Sequence, residues 1–116
     1  MDKLITSSPK TRSWLSIIES KVKQKNLELT YKEAKYCAPF KSRQTNRNVA
    51  YLQPQKNQIR IYTRLDLPSD SVLQETPSSN NYAAMYPALY ILKSETLIDK
   101  AVELILQSFE EDKCKA

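Results

Sequence analysis

The stretch RNVAYLQPQKNQIRIYTRL, Arg47 to Leu65, decides the fold. From Gln58 onward it alternates, with Ile59, Ile61, Thr63 and Leu65 on one side and Arg60, Tyr62 and Arg64 on the other. A strand sends successive side chains to opposite faces, so this pattern predicts one face in the core and one in water. The run before it, Arg47 to Gln53, holds Val49, Tyr51 and Leu52 around Ala50 and alternates less cleanly, which leaves its register open. Between the runs, Pro54-Gln55-Lys56-Asn57 supplies turn chemistry: Pro presets φ, and Asn tolerates positive φ in a chain that has no Gly. The stretch is expected to form a β-hairpin. Its outward row of Arg60, Tyr62 and Arg64 would set two guanidiniums beside a phenol ring, a combination able to contact phosphate and to stack on a planar group. Lys56 at the turn and Arg47 at the strand start extend that row. A polar outer face is, however, what alternation produces whatever the function.

Working outward, Leu27 to Thr30 and Tyr36 to Lys41 are two short strand candidates, and Pro39 in the second argues for an edge position or a bulge. The basic loop from Lys41 to Asn48, which includes Arg43 and Arg47, leads directly into the hairpin. It suits a phosphate-contacting finger as well as a plain solvated turn. Toward the N-terminus, Ser8-Pro9 reads as a helix opening with Ser as N-cap and Pro at the first helical position. Trp14, Leu15, Ile17, Ile18 and Val22 recur at helical spacing, and the lysines that follow suit a helix C-terminus. Beyond the hairpin, residues 66–81 are rich in Ser, Pro, Asp and Asn and read as a long connection able to fold over the sheet or close as a lid. Ala88 to Lys93 is a final strand. Ser94 then caps a second helix with Leu97, Ile98, Ala101, Val102, Leu104, Ile105 and Phe109 on its apolar face. Glu110, Glu111 and Asp112 oppose the helix dipole at its end, which predicts fraying there.

These elements predict an α+β fold: an antiparallel sheet of about four to five strands with an N-terminal and a C-terminal helix packed on one face. All 116 residues are expected to form a single domain, with 1–7 and 113–116 as frayed tails. A hydrophobic fraction of 41% and a charged fraction of 27% are ordinary for a globular protein. No apolar run approaches the length of a membrane span and no signal-peptide core is visible, so a cytoplasmic protein without membrane contact is expected. Cys37 and Cys114 are isolated, and reduced thiols are the simpler reading.

The chain has no His and no Gly. The first absence removes the commonest general base and zinc ligand; the second removes phosphate-cradling loops that need close backbone approach. Glu33-Ala34-Lys35 matches half of a metal-dependent nuclease signature, but the upstream carboxylates Asp2, Glu19 and Glu28 stand in no fitting strand context. The residues point to no catalytic constellation, no metal site and no cofactor. Net charge is +5, unevenly laid out: residues 1–65 hold 14 Lys or Arg against 4 Asp or Glu, and residues 66–116 hold 4 against 9. Such polarity steers an anionic partner toward the first half, or supports head-to-tail association.

Three segments, Tyr36 to Lys41 with its basic loop, NVAYLQPQKNQIRIYTRL, and YPALYILKSETLIDKAVELILQSFEE, together resemble a small domain family labelled "predicted transport protein". Members often lie at the C-terminal end of larger proteins, some linked to restriction or nuclease functions. The resemblance covers residues 30 to 112 and is carried mainly by Gln53-Pro54-Gln55-Lys56 and by Gln107-Ser108-Phe109-Glu110. Where members show Gly before the last strand, this chain has Asn80-Asn81. The resemblance implies a small α+β fold and a modular accessory role, and names no ligand. The functional expectation is a non-enzymatic binding module contacting nucleic acid or another polyanion through Lys41, Arg43, Arg47, Lys56, Arg60, Tyr62 and Arg64. The alternatives are a protein-interaction domain, with an acidic protein or a second copy as partner, and a small-molecule binder under the long loop.

Overall fold

The hairpin forms as its alternation requires. In a computed structural model that describes residues 4, 6–65, 73–77 and 86–115, strands β3 (Asn48–Pro54) and β4 (Ile59–Thr63) pair antiparallel with Tyr51 opposite Tyr62. Strands β1 (Leu29–Tyr31), β2 (Ala38–Ser42), β5 (Gln74–Glu75) and β6 (Ala88–Leu92) complete one six-stranded sheet in the order β1-β2-β3-β4-β6-β5. Each pairing is antiparallel. The fold class is as expected, with one strand more than the upper count. The extra strand, β5, is two exposed residues inside the long polar connection, too short to leave a period in the sequence. Most of that connection, and the lid expected of it, lies outside the described residues.

Helix α1 (Pro9–Lys25) opens with a capping box: the Ser8 side chain accepts from the Thr11 N–H, and the Thr11 hydroxyl accepts from the Ser8 N–H. Ser8 Oγ also donates to the Lys56 carbonyl at 2.7 Å, tying the helix start to the hairpin turn. Leu4 is buried, its N–H donating to the Ala34 carbonyl, so at least that residue of the expected N-terminal tail is docked. At the other end, Ser94 caps a single 3-10 turn (Glu95–Leu97) that runs into helix α2 (Ile98–Lys115). The predicted fraying at Glu110 to Asp112 does not occur, and Lys113 and Cys114, expected in a tail, are helical. Asp112 is buried and ion-paired, which outweighs its adverse place in the helix dipole.

Both helices cover the same face. Trp14, Leu15, Ile18 and Val22 of α1 and Ile98, Ala101, Val102, Leu104, Ile105 and Phe109 of α2 share one core with Phe40, Leu52, Ile59, Ile61 and Leu92 of the sheet. Each Leu, Ile, Val and Phe among them stabilises the fold by roughly 1.5–3 kcal/mol relative to exposure. Leu97, expected on the buried stripe, lies in the 3-10 turn and is partly exposed.

Two local features have simple causes. Pro39 sits in β2, which is flanked on both sides, so the expected edge position is not what the sheet adopts. Its missing N–H faces β1, where Lys32 donates to the Pro39 carbonyl with no return bond and β1 ends one residue earlier. The irregularity expected near it is present as a bulge: Phe40 pairs with Ala50 but Lys41 with Asn48, leaving Val49 extra. Positive φ is found at Asn46 (59°) in the β2–β3 turn and not at Asn57. There Asn does the work usually given to Gly.

Candidate functional site

The sheet face away from the helices is not uniformly open. Along the hairpin, Tyr62 is 0% exposed, centred in a second apolar cluster with Tyr86 and Leu89, against which Tyr51 and Ile91 pack. Tyr51 and Tyr86 meet edge to face at 5.1 Å. The Tyr62 hydroxyl donates to Gln53 Oε1 at 3.2 Å. The expectation that Arg60, Tyr62 and Arg64 stand exposed together is therefore overturned at its middle residue.

Arg64, which flanks it, is engaged in structure as well. Arg64 Nε donates to the Asn48 carbonyl at 2.6 Å, and its guanidinium lies 4.9 Å from the centre of the Tyr86 ring. Its backbone N–H donates to Ser108 Oγ, which itself donates to the Val49 carbonyl, so one buried serine of α2 stitches β3 to the end of β4. Arg60 is half-buried, with its Nε withdrawn from solvent and without a hydrogen-bond partner among the described residues.

Arg47 pairs with Asp112 at 2.7 Å, the guanidinium side chain 44% exposed and the carboxylate 3%. Thr45 donates to the other carboxylate oxygen at 2.5 Å. A second link between the basic and acidic parts of the chain is Lys21–Asp99 at 2.7 Å, which holds the Asp99 carboxyl below its ordinary range. Folding thus lays part of the acidic second half against the basic first half. Lys56 is exposed at the far end of β3 from the Lys41–Arg47 loop, a distance of roughly 20 Å for a seven-residue strand. The seven candidate residues do not form one patch.

What the fold does bring together is at the β1–β2 margin. The cross-strand pairs Thr30 with Lys41 and Lys32 with Pro39 fall on the outer face. Arg43 continues that series, its N–H donating to the Glu28 carbonyl at 2.8 Å. Lys32, Lys41 and Arg43 are exposed, and none has an ion pair among the described residues. Glu28 is the single carboxylate in the same series. Lys32 was missed from sequence because the run around it carries no alternation. Its placement follows only from the register of β1 on β2.

Beside this margin runs a surface groove of about 390 Å³ lined by Lys23, Leu27, Leu29, Thr30, Tyr31 and Arg43. Lys23 enters from α1, where it pairs with Glu19 at 2.6 Å. The Tyr31 hydroxyl donates to Glu33 Oε2 at 3.0 Å, and burial first, then the Glu33 charge, push the phenol well above its ordinary pKa. Glu33 of the nuclease-like triplet is thus engaged by Tyr31 and faces Arg12 at 4.0 Å, while Lys35 lies over the Tyr36 ring. Among the described residues no three His, Cys, Asp or Glu stand together as a metal site, and no helix is long and apolar enough to cross a membrane.

No protein-family model, curated protein or solved structure matches the chain. The functional reading therefore rests on this geometry.

Proposed function

We propose that the chain is an accessory binding module that takes up a polyanion at the β1–β2 margin of its open sheet face. The observation that carries this is the group Lys32, Lys41 and Arg43: three exposed cations, Lys41 within β2 and Lys32 and Arg43 one residue beyond the ends of β1 and β2, each tied to the facing strand by main-chain hydrogen bonds and free of ion pairs among the described residues. A rigid strand pair fixes their spacing at little entropic cost, which favours binding over a scatter of surface lysines. The basic balance of residues 1–65 adds long-range steering toward the same half. Cys37 and Cys114 are joined in no disulfide, which fits a reducing cytoplasmic setting. A small α+β accessory module is also what the family resemblance of residues 30–112 implies.

The test is salt-dependent binding of single-stranded DNA and RNA of mixed sequence and of heparin, read by fluorescence anisotropy. Affinity is expected to fall steeply between about 50 and 200 mM salt. The double variant Lys41→Ala with Arg43→Ala should flatten the slope for a single strand by about 1.4, two lost contacts at about 0.7 each. The pair Arg60→Ala with Arg64→Ala should leave that slope in place. Salt-independent binding, or a larger change from the hairpin pair than from the margin pair, defeats the proposal.

A further inference from the structure

Strand β1 is the outer strand of the sheet, and its ladder bonds run in one direction only. Glu28, opposite Arg43, and Lys32, opposite Pro39, turn their main-chain groups toward β2. In an antiparallel ladder the residues between alternate, so the N–H and C=O groups of Leu29 and Tyr31 point out of the sheet. The Ser42 N–H agrees, since it is spent on the Arg47 carbonyl on the β3 side and not on Leu29. No described residue takes up the outward groups of Leu29 and Tyr31. They open onto the groove shared by Lys23, Leu27 and Arg43. Leu27, at its end, is 80% exposed, the highest value among the exposed large hydrophobic residues. An edge left open by the described residues is a template for one more strand.

We propose that the polyanion recognised at this margin is an acidic polypeptide segment, which adds to the sheet as a strand along β1. The inference rests on the polyanion reading above and narrows it to one class of ligand. Two features select a peptide. The edge presents carbonyl acceptors as well as N–H donors; a DNA backbone has no donor for those carbonyls and an RNA backbone only its 2′-hydroxyls, whereas each peptide unit supplies both groups at the repeat of the ladder. Cations also flank the edge from two sides, Arg43 from the β2–β3 loop and Lys23 from the helix, where a bound carboxylate would share the ammonium with Glu19. A strand sends neighbouring side chains to opposite faces, so two consecutive Asp or Glu residues would meet one cation each. Leu27 then accommodates an apolar residue beside the acidic pair. A second copy of this chain is disfavoured as the occupant, because it would bring Lys23 and Arg43 against their own equivalents.

The experiment uses the full chain and three labelled probes: a short peptide in which paired acidic residues flank a leucine, the same peptide N-methylated at alternate amides, and a single-stranded oligonucleotide of matched charge. The unmodified peptide is expected to bind, with affinity reduced about tenfold by N-methylation, which removes ladder donors while keeping every charge. Arg43→Ala should weaken it about fivefold, in line with one partly exposed charge contact. Tight oligonucleotide binding without peptide binding overturns this inference and leaves the polyanion reading standing. Equal binding of both peptides overturns strand addition. Binding of none of the three probes overturns the inference and the polyanion reading together.

Discussion

Two cationic rows lie on the same face of one sheet and differ in what surrounds them. Arg60 and Tyr62 belong to β4, which is flanked by β3 and β6, and Arg64 directly follows it. Tyr51, Leu89 and Tyr86 close around Tyr62, and Arg64 is spent on Asn48 and Tyr86. Lys32, Lys41 and Arg43 belong to the β1–β2 margin, where the outer-face neighbours are Thr30 and half-buried Pro39. Alternation assigns both rows to the same side. Position in the strand order decides which row meets solvent, and strand order is a property of the whole sheet.

The sharpest way to break this contrast is to delete the middle of the covered row. Tyr62→Ala should destabilise the fold by about 3 kcal/mol, the lower range for removing a buried aromatic ring. Lys41→Ala should stay within about 0.5 kcal/mol, as for a surface change that touches nothing buried. Urea unfolding of the two variants measures both. A loss below about 1 kcal/mol at Tyr62 would mean the hairpin row is open after all.

Arg47 stands between the two regimes, half exposed but held by a buried carboxylate. Asp112→Ala removes that carboxylate, leaving Thr45 and Arg47 without their shared acceptor. A stability loss of about 2 kcal/mol is expected, in the range for breaking a charged hydrogen-bonded pair that is buried on one side. The same variant should tighten polyanion binding, because the guanidinium joins the free cations of the margin. Stability lost with no gain in affinity would place Arg47 with the structural arginines of the hairpin.

How much of this was legible beforehand follows from which signals are local. The hairpin, the Ser8 cap and most of the apolar stripe of α2 are written in neighbouring residues and formed as expected, while Ser94 caps a 3-10 turn that takes Leu97 off the stripe. The cover over Tyr62 is not local, yet a trace of it was present. In ALYIL the outward residues Leu89 and Ile91 are as apolar as the inward ones, the mark of a strand buried on both faces. A covered neighbour for β4 was therefore readable from β6. The role of Lys32 was not, since it depends on where Pro39 ends the β1 ladder. Nor was the pairing of Asp112, which joins a helix end to a loop 65 residues away.

The margin carries a group whose titration can be read on its own. Tyr31 keeps its proton above the ordinary phenol range because burial and Glu33 both oppose a phenolate. A phenol whose pKa is raised in the folded state contributes stability that is fully present below its unfolded value of about 10 and is lost as pH rises beyond it. At about pH 11 the loss should be about 1 kcal/mol, allowing for the solvent that reaches this half-buried ring. Tyr31→Phe cannot ionise, so its stability between about pH 9 and pH 11 should decline less than that of the parent chain, while at pH 7 it is lower by the lost Glu33 bond. Parallel declines in the two proteins would show that the β1 edge loosens at high pH without the phenol taking part.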